Sequence, residues 1–263
     1  MDLGLAGKVA MVMAASKGLG KAVAMGLAQE GACVSICARE FAALEQAASD
    51  IRATTGTNVL AVQVDVTQRD ALEGWVQRTV DVLGPPQIAV TNVGSPPLGN
   101  FFDLSEDDWR GAVDSMLMSV VRLAYLTVPY FRAAHWGRII TMTSAQVKMP
   151  QDRLLLSSSV RNAVIGLTKC LSNELAAESI TVNSVLPGKV STERTPAVLQ
   201  ATAQREGISL EEVEQRTVRE VPSGRFGRSE EFADVVVFLA SERASWVTGA
   251  SIRVDGGFCK ALD

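Results

Sequence analysis

Along this chain, short unbroken apolar runs alternate with longer stretches in which apolar residues recur every three or four positions. An unbroken run reads as a strand covered on both faces, and the longer period reads as a helix laid against it. The runs fall in the segment that opens at Lys8 and at residues 32–39, 59–64, 88–91, 137–142, 181–186 and 251–254. The periodic stretches start at Lys21 and cover residues 41–55, 71–83, 107–134, 152–178 and 229–240. Strand and helix taking turns from end to end predict a parallel sheet with helices on both faces, an α/β doubly wound fold.

The chain's punctuation agrees with this division. Pro96, Pro97 and Gly99 keep the segment after the fourth run out of a helix, and Ser105 followed by Asp107 and Asp108 has the form of a cap for the helix at 107–134. Pro187 and Gly188 stop the sixth strand. Residues 192–221 interrupt the alternation: TPAVLQATAQRE and SLEEVEQRTVRE are rich in charge and helical in pattern, and predict a small helical flap beside the site. With no repeat, low-complexity segment or linker, residues 1–263 are expected to form one domain carrying that flap.

Candidate chemistry concentrates first in KVAMVMAASKGLG, Lys8 to Gly20, where an apolar run breaks into a small-residue turn ahead of a helix. The first amides of a helix have no internal partners and carry about half a positive charge, so a diphosphate can lie against such a turn if no side chain blocks it. Gly18 and Gly20 keep the approach open. The second run ends in Arg39, at the distance where a dinucleotide-binding βαβ unit reads the ribose. A carboxylate there would repel a 2′-phosphate, whereas Arg39 together with Lys17 in the turn attracts one, which favours NADP(H) over NAD.

Composition narrows the partners. Twenty-five basic residues against twenty-nine acidic ones, with no basic run, argue against nucleic acid or an anionic membrane. Cys33, Cys37, Cys170 and Cys259 lack metal-ligand spacing and read as reduced thiols, so no metal is expected. The N-terminus has no signal-peptide pattern and no apolar run reaches membrane-spanning length, from which a cytoplasmic protein is expected.

Over nearly its whole length the chain resembles the short-chain dehydrogenase/reductase family, and within it the branch of β-ketoacyl carrier-protein reductases. The family's T-G-x-x-x-G-x-G stands here as Met13-Ala14-Ala15-Ser16-Lys17-Gly18-Leu19-Gly20, its adenine-contacting D-V as Asp65-Val66, and its N-A-G as Asn92-Val93-Gly94. Its P-G is Pro187-Gly188, with Val190 and Thr192 where the family holds the nicotinamide amide, and the closing V-D-G-G is Val254 to Gly257. The resemblance implies a Rossmann-type seven-stranded sheet in the order 3-2-1-4-5-6-7, with the cofactor across the switch point. It also implies a homo-oligomer, a dimer or tetramer pairing the helices at 107–134 and 152–178.

The chemistry departs from the family. Its reaction uses an Asn-Ser-Tyr-Lys set: Tyr exchanges the proton at the substrate oxygen, Lys lowers the Tyr pKa and holds the ribose, Ser orients the carbonyl and Asn anchors a water relay. In register, Ser144 is the Ser, but Ser157 replaces Tyr, Arg161 replaces Lys, Met116 replaces Asn, and Ala14 replaces the first glycine. An aliphatic hydroxyl is a far poorer acid than a phenol, and Arg does not release its proton near neutrality. Arg161 can still bind ribose hydroxyls and supply a fixed positive field. Lys148, after Ser144 on the loop bordering the substrate side, is a candidate proton donor or anion binder, with Arg153, Lys189 and Arg194 as further cations for an acidic substrate. His135 is expected at the far end of the sheet.

Three functions remain open on these residues. The leading one is an NADP(H)-dependent oxidoreductase acting on a small carbonyl, imine or acyl-type substrate. The others are a non-redox lyase, isomerase or cyclase on the same scaffold, and a non-catalytic NADP-binding subunit.

Overall fold

In the computed structural model, which describes residues 1–262, the apolar runs form seven parallel strands. They are β1 (Val9–Val12), β2 (Cys33–Ala38), β3 (Val59–Gln63), β4 (Ile88–Thr91), β5 (Gly137–Met142), β6 (Ile180–Pro187) and β7 (Ser251–Val254). Their order, β3-β2-β1-β4-β5-β6-β7, is the one the family resemblance implies. β1 lies between β2 and β4, with Ala10 opposite Val34 on one side and Ile88 on the other. All residues of β1, β4 and β5 are buried, which is why those runs are apolar without alternation.

Helices cover both faces. One is packed by α1 (Gly18–Gln29), α2 (Phe41–Thr55) and α9 (Ser229–Ala240), whose Val23, Leu27, Leu44, Ile51, Phe232 and Val236 enclose the β1 and β2 side chains. The other is packed by α3 (Arg69–Leu83) and α5 (Ser119–Ala133) through Leu72, Trp75, Leu123, Val128 and Phe131, and by Leu175 from the end of α6 (Leu155–Leu175). Within it, the Trp75 Nε1 donates to Ser35 Oγ at 2.8 Å, so the indole and the strand hydroxyl satisfy each other.

Two helices differ from the sequence reading. The stretch expected at 107–134 is α4 (Glu106–Val113), then a π-helical turn (Asp114–Met118), then α5. Ser105 caps α4 as expected, with Oγ accepting from the Asp108 amide at 3.2 Å. At the π turn, Ser115 and Ser119 each donate to the carbonyl four residues back, to Gly111 and Ser115 respectively, competing with the α ladder. The unbroken helical length, Glu106–Ala133, corrects the expectation that no run reaches membrane-spanning length: by length and composition alone this helix does. Its inward face, including Leu123, Val128 and Phe131, belongs to the core.

The other difference is the start of α6, three residues later than expected. Arg153 takes a left-handed φ of 62°, its amide donates to Asn100 Oδ1 at 3.1 Å, and its carbonyl accepts from the Gly99 amide at 2.9 Å. Pairing with the Gly99–Asn100 loop thus displaces the first helical turn.

The interruption after β6 contains α7 (Thr195–Glu206) and α8 (Leu210–Arg219). Glu206 joins them, 2.8 Å from Arg205 and 2.6 Å from Arg216. Turns that leave the C-terminal ends of β1 to β6 bring Lys17, Arg39, Asp65, Asn92, Ser144 and Gly188 to one edge of the sheet. His135 precedes β5, at the opposite edge.

Candidate active site

The turn after β1 is held by close approach. A Cβ on Gly20 would lie 2.4 Å from the Ala14 carbonyl oxygen and 2.9 Å from Asn92 Nδ2, so only glycine fits. Asn92, at the end of β4, donates to that same carbonyl at 3.3 Å and ties the turn across the seam between β1 and β4. Ala14 has a φ of 49° and Gly18 one of 57°; the first is strained for a residue with a side chain. The Gly18 amide, in the first turn of α1, donates to Glu193 Oε2 at 3.0 Å. The flap therefore presents a carboxylate at the helix N-terminus, in keeping with the positive charge expected there.

A groove of about 620 Å³ runs along this edge. Ala14, Ser16, Lys17, Gly18, Leu19, Arg39, Asp65, Val66, Asn92, Gly94 and Thr192 all line it, as do Glu193 and Arg194. Lys17 and Arg39 are exposed, and neither is ion-paired among the described residues. Asp65 Oδ1 accepts from the Thr67 amide at 3.0 Å and its hydroxyl at 2.8 Å, which fixes the carboxylate at the rim.

A second cavity, of about 270 Å³, shares Leu19, Asn92, Val93, Ser95 and Pro96 with the groove. Ser144, Gln146, Ser157, Arg161 and Pro187 line it. Ser144 caps the short turn Ala145–Val147, its Oγ accepting from the Gln146 amide at 3.5 Å. Asn162 on α6 donates to the carbonyls of Val147 at 3.2 Å and Ser158 at 2.8 Å, locking that turn against the helix that carries Ser157 and Arg161. Ser157 and Arg161, four residues apart on α6, share a face.

Arg161 is 8 % exposed and its Nη1 donates to the Met142 carbonyl at 2.9 Å. Burial pulls its pKa down to about 10, which leaves it protonated at neutral pH. Its Nε is buried without a partner among the described residues, and so is Thr143 Oγ1. Both residues border a void of about 10 Å³, together with Met116. Met116 itself packs with Ala112, Leu156 and Val160.

Other residues named from the sequence lie apart. Gly20 is buried beneath the turn. Gly188 is pressed against Asp255, where a Cβ would come within 2.5 Å. Val190 pairs with Gly227 and lines a separate cavity with Lys189. Half-buried Lys148 borders neither site cavity, and neither do exposed Arg153, exposed Tyr125 and half-buried Tyr130. Glu193, Gln146 and Thr143 were not anticipated. Gln146, two residues beyond Ser144, follows from the turn that Ser144 caps; Glu193 left no signal in the sequence. Among the described residues no cluster of His, Cys, Asp and Glu could hold a metal ion.

A doubly wound parallel sheet with a groove across its switch point defines the class of nucleotide-binding α/β proteins. The family model described as "Enoyl-(Acyl carrier protein) reductase" matches residues 13–259. The chain is 32% identical over 255 residues to the 3-oxoacyl-[acyl-carrier-protein] reductase FabG of Pseudomonas aeruginosa, covering 97% of this chain and 98% of that one. L-Sorbose reductase from Gluconobacter frateurii, in a complex with NADPH and L-sorbose, superposes with a TM-score of 0.95 at 32% identity and full coverage of both chains. An actinorhodin polyketide ketoreductase with NADPH gives 0.92 at 30% identity, covering 97% of this chain and 98% of that one. The chain belongs to the short-chain dehydrogenase/reductase family.

Proposed function

We propose that this chain is an NADP(H)-dependent oxidoreductase acting on a small carbonyl, imine or acyl-type substrate with a non-standard active site. The observation that carries this reading is the groove: two unpaired cations, Lys17 and Arg39, line it, as do the first-turn residues of α1, and it shares a wall with the cavity of Ser144 and Arg161. NADPH-bound reductases among its structural relatives support the same cofactor.

When bound, the nicotinamide supplies a hydride to the carbonyl or imine carbon. Lys17 and Arg39 hold the 2′-phosphate, and the α1 amides hold the diphosphate once Glu193 moves aside. The Ser144 hydroxyl orients the substrate oxygen, and Arg161 opposes the negative charge that grows on it in a site of low dielectric. No phenol or carboxylic acid lines the 270 Å³ cavity. The proton at the product oxygen therefore comes from water through the hydroxyls of Ser144 and Ser157, and turnover is expected to be about 10²- to 10⁴-fold below that of an enzyme with a dedicated acid. Homo-oligomerisation through the long helices, α4–α5 and α6, is part of the proposal, supported by the exposed Tyr125 on α5.

The same lack of an acid favours one alternative: a lyase, isomerase or cyclase in which Ser144, Ser157 and Arg161 stabilise an oxyanion without redox change. One experiment separates them. NADPH affinity is measured by fluorescence, then a panel of carbonyl and imine substrates is followed by nicotinamide absorbance and by product analysis. Oxidation of NADPH matched by reduced product supports the oxidoreductase, whereas product without absorbance change supports the alternative.

A further inference from the structure

Two arginines are almost fully buried, one at each end of the sheet, and they are satisfied very differently. Arg138, 2 % exposed at the start of β5, donates from Nε to the Ser241 carbonyl at 3.1 Å. Its Nη1 donates to Gly137 at 2.8 Å and Ser179 at 3.2 Å, and its guanidinium lies 4.1 Å from the Trp136 ring centroid. Carbonyls and an aromatic face account for that group without any ligand.

Arg161 has a single acceptor, the Met142 carbonyl. No carboxylate lies within ion-pairing distance of it among the described residues, and Nε has no acceptor at all. Met116, Val120, Met142 and Val164 border the void at its side, and the neutral Thr91, Asn92 and Thr143 side chains that also border it take no hydrogen bond from the guanidinium among the described residues. A buried cation left in this state is costly, and a tether between α6 and β5 needs only one hydrogen bond. The polar side of Arg161 is the 270 Å³ cavity, where Ser144, Gln146 and Ser157 are its neighbours and no Asp or Glu is present.

Ribose hydroxyls can accept from Arg161 but leave its charge uncompensated. A planar carboxylate accepts from the guanidinium fork and neutralises it. We infer that the cavity beside Ser144 is a carboxylate site with Arg161 as its counter-ion. The substrate is then a small 2- or 3-oxo acid, or the matching imino acid, whose carboxylate lies within two bonds of the reacting carbon. This identification of the substrate class rests on the oxidoreductase reading; the carboxylate site itself does not.

The test is calorimetric titration of the protein with acetoacetate and with its neutral analogue acetoacetamide, each with and without saturating NADP⁺. The carboxylate is expected to bind about 10- to 100-fold more tightly than the amide, the range of a charge-assisted hydrogen-bonded pair. Arg161→Gln should reduce that ratio to near one, and Arg161→Lys should leave part of it. Ser157→Asp places a carboxylate four residues from Arg161 on the same helix face, and should abolish the preference while raising the melting temperature. A ratio near one in the unaltered protein under both conditions overturns the proposal, as does a ratio that survives in Arg161→Gln or, if that variant does not fold, in Ser157→Asp. Absence of NADP⁺ binding alongside a clear carboxylate preference overturns the redox reading and leaves the site standing.

Discussion

The Gly18 amide and the Glu193 carboxylate are 3.0 Å apart, so the flap carries an anion to the helix end at which a diphosphate would bind. The two cannot occupy that amide together. Glu193→Gln keeps the size of the side chain and removes its charge, and is expected to tighten NADPH binding about 3- to 10-fold, since one solvent-exposed charged hydrogen bond is worth about 1 kcal/mol. Calorimetric titration of the two proteins with NADPH checks this; equal affinities would mean that the contact opens at no cost.

Ala14 stands in a left-handed conformation, φ 49°, at the position where the family has glycine. Ala14→Gly removes the Cβ strain at the cost of some unfolded-chain entropy. The net expectation is a gain of about 1 kcal/mol, read as a melting temperature about 2–4 °C higher.

The cofactor preference is expected to reside in Arg39 and Lys17. Arg39→Ala should weaken NADPH by about 10- to 100-fold and leave NADH within about threefold, because only the 2′-phosphate meets the guanidinium. Parallel fluorescence titrations with the two nucleotides measure the ratio. An equal loss for both would assign Arg39 to the adenosine rather than to its phosphate.

Restoring the family set by Ser157→Tyr, Arg161→Lys and Met116→Asn is expected to create or raise reduction of neutral ketones. It should also lower stability by about 1–3 kcal/mol, because Met116 is 2 % exposed among Ala112, Leu156 and Val160 and the new amide enters an apolar cluster. Steady-state assays and thermal melts on the same sample test both halves. A folded triple variant with no gain would point to a cavity shaped for another substrate.

At the start of α9, Glu231 accepts from Arg225 Nη2 at 2.7 Å, Arg225 Nη1 at 2.8 Å and the Arg228 amide at 2.8 Å. These bonds, the Arg225 side chain first, hold its carboxyl down at about 2. A depressed folded-state pKa contributes stability that is complete above the unfolded value of about 4.3 and is lost as pH falls toward 2. Glu231→Gln should therefore narrow its stability deficit between pH 5 and about 2, as followed by melts across that range.

The sequence made the sheet readable because its strands are covered on both faces, so Val9–Val12 and Ile88–Thr91 are unbroken apolar runs with no competing period. The groove was readable for a related reason. Arg39, Asp65 and Asn92 come within two residues of a strand end and Lys17 lies in the turn after β1, and a parallel sheet brings the C-terminal end of every strand to one edge. Contacts between segments remote in sequence were hidden. Glu193 reaches Gly18 only because the flap folds back, Arg153 leaves the helix only because the Gly99–Asn100 loop pairs with it, and Lys148 does not line the cavity that Ser144, four residues earlier, borders. The π turn at Met116 was equally hidden, since its residues keep an ordinary helical pattern and the extra residue per turn comes from serine side chains competing for carbonyls.

Of the sheet's pairings, β1 with β4 joins the residues farthest apart along the chain, Ala10 with Ile88, and the groove opens above that same seam. Closing so long a loop is slow, and little local order rewards it in advance. A nucleotide bridging the two strand ends would therefore act as a clasp on the pairing of greatest sequence separation, and during synthesis the first three strands must wait for the fourth before there is anything to clasp.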